Sequence, residues 1–308
     1  MIYLDYNATT PIDEKAYKAM LPYLESQFGN PSNSYELGQL AKSGVENARN
    51  QVAELISAKD SEILFTGCGS ESNNMVVKGV AYTYKNKGNH IITSCIEHPS
   101  ILEPLSFLER SGYDVTYLPV NEKGAVDPDD LRNSIRQDTI LVTIMHSNNE
   151  VGTLQPIQDL GEICKEEGVL FHTDASQSLG KVEIDVNEIQ VDFLTIAGHK
   201  IYAPKGIGAL FIRDGLKIEP LIHGASQESG RRAGTENVPY AVALGEAAVQ
   251  AREHLKHDGL LQMREYFYNK LKENFGKRIH LNGDEENRLP NTLNVSFIGN
   301  IGGDILAS

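Results

Sequence analysis

The chain has 308 residues, of which 40% are hydrophobic and 23% are charged, as in ordinary globular proteins. Its formal net charge of -14 argues against nucleic acid as a partner, because phosphate backbones bind to basic surfaces. No apolar run approaches the ~20 residues of a membrane span, and the N-terminal segment lacks the basic stretch of a signal peptide. The three cysteines show no metal-ligand spacing. We therefore expect a cytoplasmic protein with no metal site and no membrane contact.

Helical and apolar segments alternate along most of the chain. Two amphipathic helices are predicted within residues 13–28 and 36–58, and Pro11 and Asp13 mark the start of the first. Runs that are apolar throughout are typical of strands buried on both faces, and helical connections between them favour parallel pairing. The sequence predicts an α/β fold: a mostly parallel seven-stranded sheet with helices on both faces. The seven predicted strands are 62–66, 90–94, 114–120, 139–146, 169–173, 192–197 and 208–213.

The order of elements changes after Glu236. One helix is predicted up to about residue 256, and a second helix within residues 259–275 is followed by two strands, RIHLNG and TLNVSFIG. The last residues, GGDILAS, read as the first turn of a further helix. We therefore predict a large domain over residues 14–256 and a smaller α+β domain formed by residues 1–13 and 257–308.

Polar residues follow five of the predicted strands. In an open parallel sheet, ligands bind beyond the carboxyl ends of the strands, so these residues are expected on one rim. The first group lies in the glycine-rich turn FTGCGSESNN, which enters a helix and whose backbone N–H groups suit a phosphate. The residues concerned are Gly69 and Ser70, His98, Asn148 and Asn149, Asp174 and Gln177, and His199 and Lys200.

Each of these residues has an ordinary structural interpretation when it is taken alone. His98 suits a helix cap, the two asparagines suit a turn, and Asp174 suits the cap of a following helix. Their convergence on one edge favours a site that holds pyridoxal phosphate. The amine of Lys200 is suited to the Schiff base, and the carboxylate of Asp174 keeps the ring nitrogen protonated. The imidazole of His98 is suited to stack on the ring, and Gln177 to donate to its oxygen.

The chain resembles the cysteine desulfurases of the class V aminotransferase family, which are fold-type I pyridoxal phosphate enzymes. The resemblance extends over nearly the whole length and is specific as a set. The matching stretches are YLDYNATTP, FGNPSNSYELGQ, FTGCGSESNN, EHPSIL, DTILVTIMHSNNEVGTLQPI, HTDASQSLGK, AGHKIYAPKGIGAL and SGRRAGTENVP.

The resemblance implies a role for each site residue. Lys200 is expected to bind the cofactor covalently, Asp174 to pair with its ring nitrogen, and His98 to stack on the ring and relay protons. Thr235 is expected to reach the phosphate of the partner subunit, which implies a homodimer with shared sites. Gln177 is expected at the phenolic oxygen, Asn149 beside the substrate carboxylate and the ring, and Gly69, Ser70 and His199 at the phosphate.

Three departures from the family pattern stand out. Gly69-Ser70 replaces an Ala-Thr pair, and Ala197 replaces a serine that is common before Gly-His-Lys. In the family, a mobile loop with the nucleophilic cysteine and an arginine that clamps the substrate carboxylate follow the strand matching TLNVSFIG. The sequence ends at Ser308, before those positions. The expectation is that these 308 residues bind the cofactor but do not desulfurate cysteine at a normal rate.

The cysteines within the sequence offer weak substitutes for the missing nucleophile. Cys95 is expected to be a buried strand residue and Cys164 to be packed on the inner face of a helix. Cys68 lies at a helix N-terminus, which stabilises a thiolate, but it is expected on the phosphate side of the site.

Three functions remain open from the sequence. The first is a cysteine desulfurase that converts L-cysteine to L-alanine and passes enzyme-bound sulfur to an iron–sulfur scaffold or another acceptor, for clusters, thio-cofactors or tRNA thiolation. The second is a related selenocysteine or cysteine lyase. The third is a cofactor-binding scaffold without turnover.

Overall fold

The computed structural model describes residues 2–299, and within them the chain forms eight α-helices and nine strands. The helices are α1 (Glu14–Glu25), α2 (Glu36–Leu55), α3 (Gly69–Tyr84), α4 (Pro99–Glu109), α5 (Pro128–Ser134), α6 (Ile157–Glu167), α7 (Val238–His254) and α8 (Gly259–Phe275). The strands are β1 (Ile63–Thr66), β2 (His90–Ser94), β3 (Asp114–Leu118), β4 (Thr139–Thr143), β5 (Leu170–Asp174), β6 (Phe193–Ala197), β7 (Gly208–Ile212), β8 (Ile279–Leu281) and β9 (Val295–Phe297).

The first seven strands form one sheet in the order β1-β7-β6-β5-β4-β2-β3. The pairs from β6 through β5, β4 and β2 to β3 are all parallel. Strand β7 is antiparallel to both of its neighbours, β1 and β6, so β1 runs in the same direction as β6. The predicted α/β fold with a mostly parallel seven-stranded sheet is confirmed.

Both faces of this sheet are buried along every strand except β3, as the continuous apolar runs predicted. The edge strand β3 is largely exposed, so the prediction of a doubly buried strand is wrong there. Successive residues of a strand enter two different hydrophobic clusters, because side chains alternate across a sheet. In β7, Ala209 and Phe211 belong to one cluster and Leu210 and Ile212 to the other. Helices α1, α2 and α7 contribute to the first cluster, and α3 and α4 to the second. The sheet is therefore the middle layer between two hydrophobic clusters, and the loops at its edges carry the polar residues of the predicted site.

Local signals in the sequence explain where several helices begin. The carboxylate of Asp13 accepts hydrogen bonds from the N–H groups of Lys15 and Ala16 at the start of α1, as its predicted capping role requires. His98 caps α4 in the same way, by accepting from the N–H of Ser100. Helix α1 ends at Glu25, three residues before the predicted limit.

A separate two-stranded antiparallel sheet is formed by β8 and β9, after the long helix α8. Phe275 at the end of α8 packs edge-on against Phe297 of β9, with ring centroids 5.0 Å apart. The helix predicted at GGDILAS lies outside the described residues. Among the helices of residues 2–299, none is long and apolar enough to cross a membrane.

Candidate active site

The carboxyl ends of β1, β2, β4, β5 and β6 lie at the same edge of the sheet, because these five strands run in one direction. A cavity of about 240 Å³ opens at this edge. Eight of the nine predicted site residues line it: Gly69, Ser70, His98, Asn149, Asp174, Gln177, His199 and Lys200. The ninth, Thr235, does not.

Lys200 lies in the single helical turn Gly198–Lys200 that directly follows β6. Its ammonium group donates to the backbone carbonyls of Asn7 and Ala8, the second at 3.0 Å. Within residues 2–299 it makes no ion pair with a carboxylate at contact distance. Burial lowers the pKa of Lys200, and the charges of Asp174 and Asp5 oppose that shift. A lysine held by carbonyls alone, with a lowered pKa, is suited to act as a neutral amine.

Asp174 is the last residue of β5 and is 8% exposed. One carboxylate oxygen accepts from the amide of Asn73 at 2.7 Å, and the other accepts from the N–H of Ser176 at 2.9 Å. The segment after Asp174 is a turn, so the interpretation of Asp174 as a helix cap is wrong. The two donors fix the plane of a buried carboxyl group that lines the cavity.

His98 projects from the start of α4, after β2. Its Nδ1 accepts from the N–H of Ser100 at 3.1 Å and lies 2.8 Å from the hydroxyl of the same residue. Because Nδ1 accepts, the ring proton of the neutral imidazole resides on Nε2. His98 is thus both a helix cap and a wall of the cavity.

The amide of Gln177 is oriented by two partners. Its Nε2 donates to the carbonyl of Asn7 at 2.9 Å, and its Oε1 accepts from Lys181 at 3.4 Å. Burial lowers the pKa of Lys181 to about 7, and the charge of Lys200 adds to that effect. The amide nitrogen of Gln177 therefore faces the N-terminal segment, and the carbonyl of Asn7 in that segment also accepts from Lys200.

Asn7 is a site residue that the sequence did not indicate. Its carbonyl accepts from Lys200 and Gln177, and its side-chain amide donates to the carbonyl of Asn149 at 3.1 Å. The side chain of Asn149 itself donates to Glu150 at 2.8 Å. Contacts across 142 residues leave no local pattern, so the only signal in the sequence was that Asn7 lies in YLDYNATTP, a stretch that matches the family.

The turn between β1 and α3 also lines the cavity, through Cys68, Gly69 and Ser70. Within residues 2–299, no side chain caps the first N–H groups of α3. Gly69 is closely packed, since a Cβ on it would lie 3.2 Å from that of Ala197 and 3.3 Å from the hydroxyl of Ser176. Open N–H groups at a helix N-terminus bind anions.

His199 connects this region to the N-terminal segment. Its Nδ1 lies 3.1 Å from the hydroxyl of Thr9, and its carbonyl accepts from the N–H and hydroxyl of Thr10. Burial lowers the pKa of His199, and the charges of Lys200 and Lys205 lower it further. A neutral ring is therefore expected near pH 7.

Thr235 is exposed and lies on a loop that two ion pairs anchor. Arg232 pairs with Glu71 of α3 at 2.7 Å, and the buried Glu228 pairs with Arg49 at 2.7 Å. Glu228 also accepts from the N–H of Phe65 in β1. The loop is thus fixed to the sheet, while Thr235 is exposed and is not among the residues that line the cavity of its own chain.

The three cysteines differ in their surroundings. Cys164 is buried in α6 as predicted, and burial raises the pKa of its thiol. Cys95 is exposed and follows the last residue of β2, so the prediction of a buried strand residue is wrong. The strand ends at Ser94, and a turn begins at Cys95. The hydroxyl of Ser94 donates to Glu97 across this turn. Cys68 is exposed and lines the cavity.

The residues present fit pyridoxal phosphate. The cavity combines a free amine, a buried carboxylate and uncapped N–H groups, which match the aldehyde, the ring nitrogen and the phosphate of that cofactor. Ser147 also lines the cavity, and its buried hydroxyl has no hydrogen-bond partner within residues 2–299. Buried polar atoms are normally paired, so an orphaned hydroxyl facing the cavity suits a polar ligand.

Comparisons with known proteins agree with this geometry. The model of the aminotransferase class-V family matches residues 2–307. The cysteine desulfurase IscS of Dictyoglomus turgidum is 50% identical over 298 residues, which cover 96% of this chain and 75% of that protein. A solved NifS-like protein superposes with a TM-score of 0.95 at 38% identity, covering 99% of this chain and 84% of that one.

A second solved structure is that of SspA in complex with cysteine. It superposes with a TM-score of 0.89 at 40% identity and covers 96% of this chain and 84% of that one. The family model matches nearly all residues, and the curated relative is 50% identical. Both findings assign the chain to the same family. The chain belongs to the class-V aminotransferase family, among its cysteine desulfurases.

Proposed function

We propose that the protein is a pyridoxal phosphate-dependent cysteine desulfurase, which converts L-cysteine to L-alanine and delivers the sulfur to an acceptor. The observation that supports this most directly is the presence of Lys200 and Asp174 in one cavity that the N-terminus of α3 also lines. The names of its relatives, and the cysteine in the SspA structure, support the choice of substrate.

The bound cofactor supplies a ring that accepts electrons and so stabilises negative charge on the substrate carbon next to its amino group. Asp174 would contribute a negative charge that keeps the ring nitrogen protonated. The N–H groups of Gly69 and Ser70 would hold the phosphate, and Gln177 would donate to the ring oxygen. His98 would shield the ring from water.

Lys200 is the group that moves a proton. Because burial lowers its pKa, more of the Nζ amine is neutral and able to accept a proton from the substrate carbon, and the protonated amine returns that proton more readily than an exposed lysine. His98 carries its ring proton on Nε2, because Nδ1 accepts from the N–H of Ser100. It would relay a second proton to the substrate on the side where the sulfur leaves. A thiolate of the acceptor would attack the substrate sulfur and form a persulfide, while the electron pair of the broken carbon–sulfur bond stays with the substrate carbon, which takes up a proton to give alanine.

The proposal includes a homodimer in which Thr235 of each subunit reaches the phosphate in its partner. Its support is the loop that two ion pairs hold against the sheet, with Thr235 exposed beyond the cavity of its own chain. Residues 14–256 are proposed as the large domain and residues 1–13 and 257–308 as the small one. The separate sheet of β8 and β9 supports that division.

The sulfur acceptor is proposed to be an iron–sulfur scaffold or a related thiol protein. A cytoplasmic location is also proposed. The three unpaired cysteines support it, because thiols persist in a reducing compartment.

The test is incubation of the cofactor-loaded protein with L-cysteine and excess dithiothreitol as the thiol acceptor. One alanine is expected for each sulfide released, and Lys200→Ala is expected to form neither. A change in the cofactor absorption on addition of L-cysteine reports binding separately from sulfur transfer. Turnover of L-selenocysteine with no turnover of L-cysteine would favour the lyase instead. The absence of both a spectral change and alanine would reject the proposal.

A further inference from the structure

Asp174 and His98 are joined by two intervening side chains. The amide of Asn73 in α3 donates one hydrogen to Asp174 at 2.7 Å and the other to the hydroxyl of Ser100 at 2.8 Å. The hydroxyl of Ser100 lies 2.8 Å from Nδ1 of His98. The chain of contacts is therefore Asp174, Asn73, Ser100 and His98.

The direction of each hydrogen bond in this chain is fixed by its chemistry. An ionised carboxylate accepts only, so the Nδ2 side of Asn73 faces Asp174. The same nitrogen donates to Ser100, which leaves the Ser100 hydroxyl proton free to point at His98. Nδ1 of His98 already accepts from the N–H of Ser100 and therefore accepts from the hydroxyl as well.

The surroundings show that Asn73 is not a surface contact. It is 1% exposed, and its Oδ1 is buried without a hydrogen-bond partner in the described residues. An asparagine that leaves its own acceptor unpaired while both amide hydrogens point at Asp174 and Ser100 bears a cost of desolvation. The arrangement indicates that the two donated bonds determine its position.

We propose that Asn73 is a positioning residue that holds the carboxylate of Asp174 and, through Ser100, the ring of His98 in one fixed relation. The two groups act on different parts of the cofactor, Asp174 at the edge of the ring and His98 on its face. The action of Asp174 and His98 on the cofactor rests on the proposed function, whereas the chain of hydrogen bonds between them does not.

The test is nitrogen-15 NMR of histidine-labelled, cofactor-loaded protein, with the His98 signals assigned from a His98→Gln variant. Asn73→Leu preserves the side-chain size and removes both donors, and Ser100→Ala removes the hydroxyl alone. The Nδ1 signal of His98 is expected to move toward the position of an unbonded ring nitrogen in both variants, and less in Asn73→Leu, which retains the Ser100 hydroxyl. The double variant is expected to move it only as far as Ser100→Ala does, because Asn73 acts on His98 through that hydroxyl.

Asn74→Ala is the matched control, because Asn74 is the next residue of α3 and its amide donates to the carbonyl of Ser70 instead. The Nδ1 signal is expected to stay unchanged in this variant. The cofactor dissociation constant is expected to rise about tenfold in Asn73→Leu, because Asp174 loses one of its two donors.

A merely structural role would lower stability without moving the Nδ1 signal. An unchanged signal in folded Asn73→Leu would overturn the proposal, and so would an unchanged signal in Ser100→Ala if Asn73→Leu does not fold. Neither outcome depends on sulfide release, so a failure here is distinguishable from a failure of the proposed function.

Discussion

The amide of Asn7 donates to the hydroxyl of Thr292 at 2.9 Å, across 285 positions of sequence. The same amide donates to the carbonyl of Asn149, and its oxygen accepts from Asn291 at 2.9 Å. The N-terminal segment, the turn after β4 and the segment before β9 therefore meet at one side chain. Because the Asn7 carbonyl also holds Lys200, this junction lies directly against the cavity.

Asn7→Ala is expected to lower the free energy of unfolding by about 1–3 kcal/mol, because it leaves several partly buried polar groups without partners. Urea unfolding followed by circular dichroism measures the change. Asn291→Ala removes only one of the bonds and is expected to cost less. Equal losses in the two variants would show that the contacts to Asn149 and Thr292 contribute nothing.

Lys200 is expected to bind the cofactor covalently, in preference to the other amines. The neutral amine is the reactive form, so the rate of cofactor binding should rise with pH and reach half its maximum below the ordinary lysine pKa of 10.5. Borohydride reduction followed by peptide mapping should find the label on Lys200. Lys181, whose pKa burial lowers to about 7, is the competing amine, and a label there would contradict the assignment.

Asp174→Asn is expected to weaken cofactor binding by roughly ten- to hundredfold, since a charge-assisted hydrogen bond contributes about 1.5–3 kcal/mol. Equilibrium dialysis with the cofactor measures the effect. Asp192→Asn is the matched control, because Asp192 also accepts from a backbone N–H, that of Phe171, but does not line the cavity. Equal loss in both variants would assign the effect to stability alone.

Glu97 is expected to make stability fall as the pH rises. Burial raises its pKa from 4.5 to about 8, against the hydrogen bonds from Ser94 and the N–H of Met145, which favour the charged form. Between these two pH values the folded state keeps a proton that the unfolded state has lost. The free energy of unfolding therefore falls with rising pH, by at most about 1.4 kcal/mol per pH unit.

Glu97→Gln retains the acceptor oxygen for both donors and has no carboxyl proton. Its stability is expected to vary less than that of the parent protein between pH 5 and pH 8, as thermal unfolding would show. Parallel pH profiles for the two proteins would mean that Glu97 is ionised in the folded state.

Mixed dimers test whether Thr235 acts across the interface. Lys200→Ala and Thr235→Ala subunits each lack one part of the proposed shared site. A heterodimer of the two contains one intact site, formed by Lys200 of one subunit and Thr235 of the other. Its cofactor occupancy is expected to exceed that of the Thr235→Ala homodimer. Light scattering that finds a stable, cofactor-loaded monomer would contradict the shared site.

The sequence predicted the large sheet well because its signals are local. Most strands are short apolar runs; Asp174 is the last residue of β5, and Lys200 lies in the helical turn after β6. The parts that were missed depend on long-range contacts. Asn73 reaches Asp174 across 101 residues, and no neighbouring residue indicates this contact. Cys95 was misplaced because the apolar run before it continues to look like a strand, whereas the hydroxyl of Ser94 bonds to Glu97 and starts a turn.

The first residue of strand β7 lets the turn after β1 pack closely against the end of β6. The strand runs opposite to its neighbours, so the residue it places between the ends of β1 and β6 is its first, Gly208, which pairs with Thr66 and Ala197. A Cβ on Gly208 would lie 2.8 Å from the carbonyl carbon of Cys68. Position 208 therefore has no room for a side chain, and the turn after β1 packs directly against the end of β6, where Gly69 approaches Ala197. A larger residue at position 208 would push the turn that carries Gly69 and Ser70 away from the segment that carries Lys200, and the two halves of the cavity would separate.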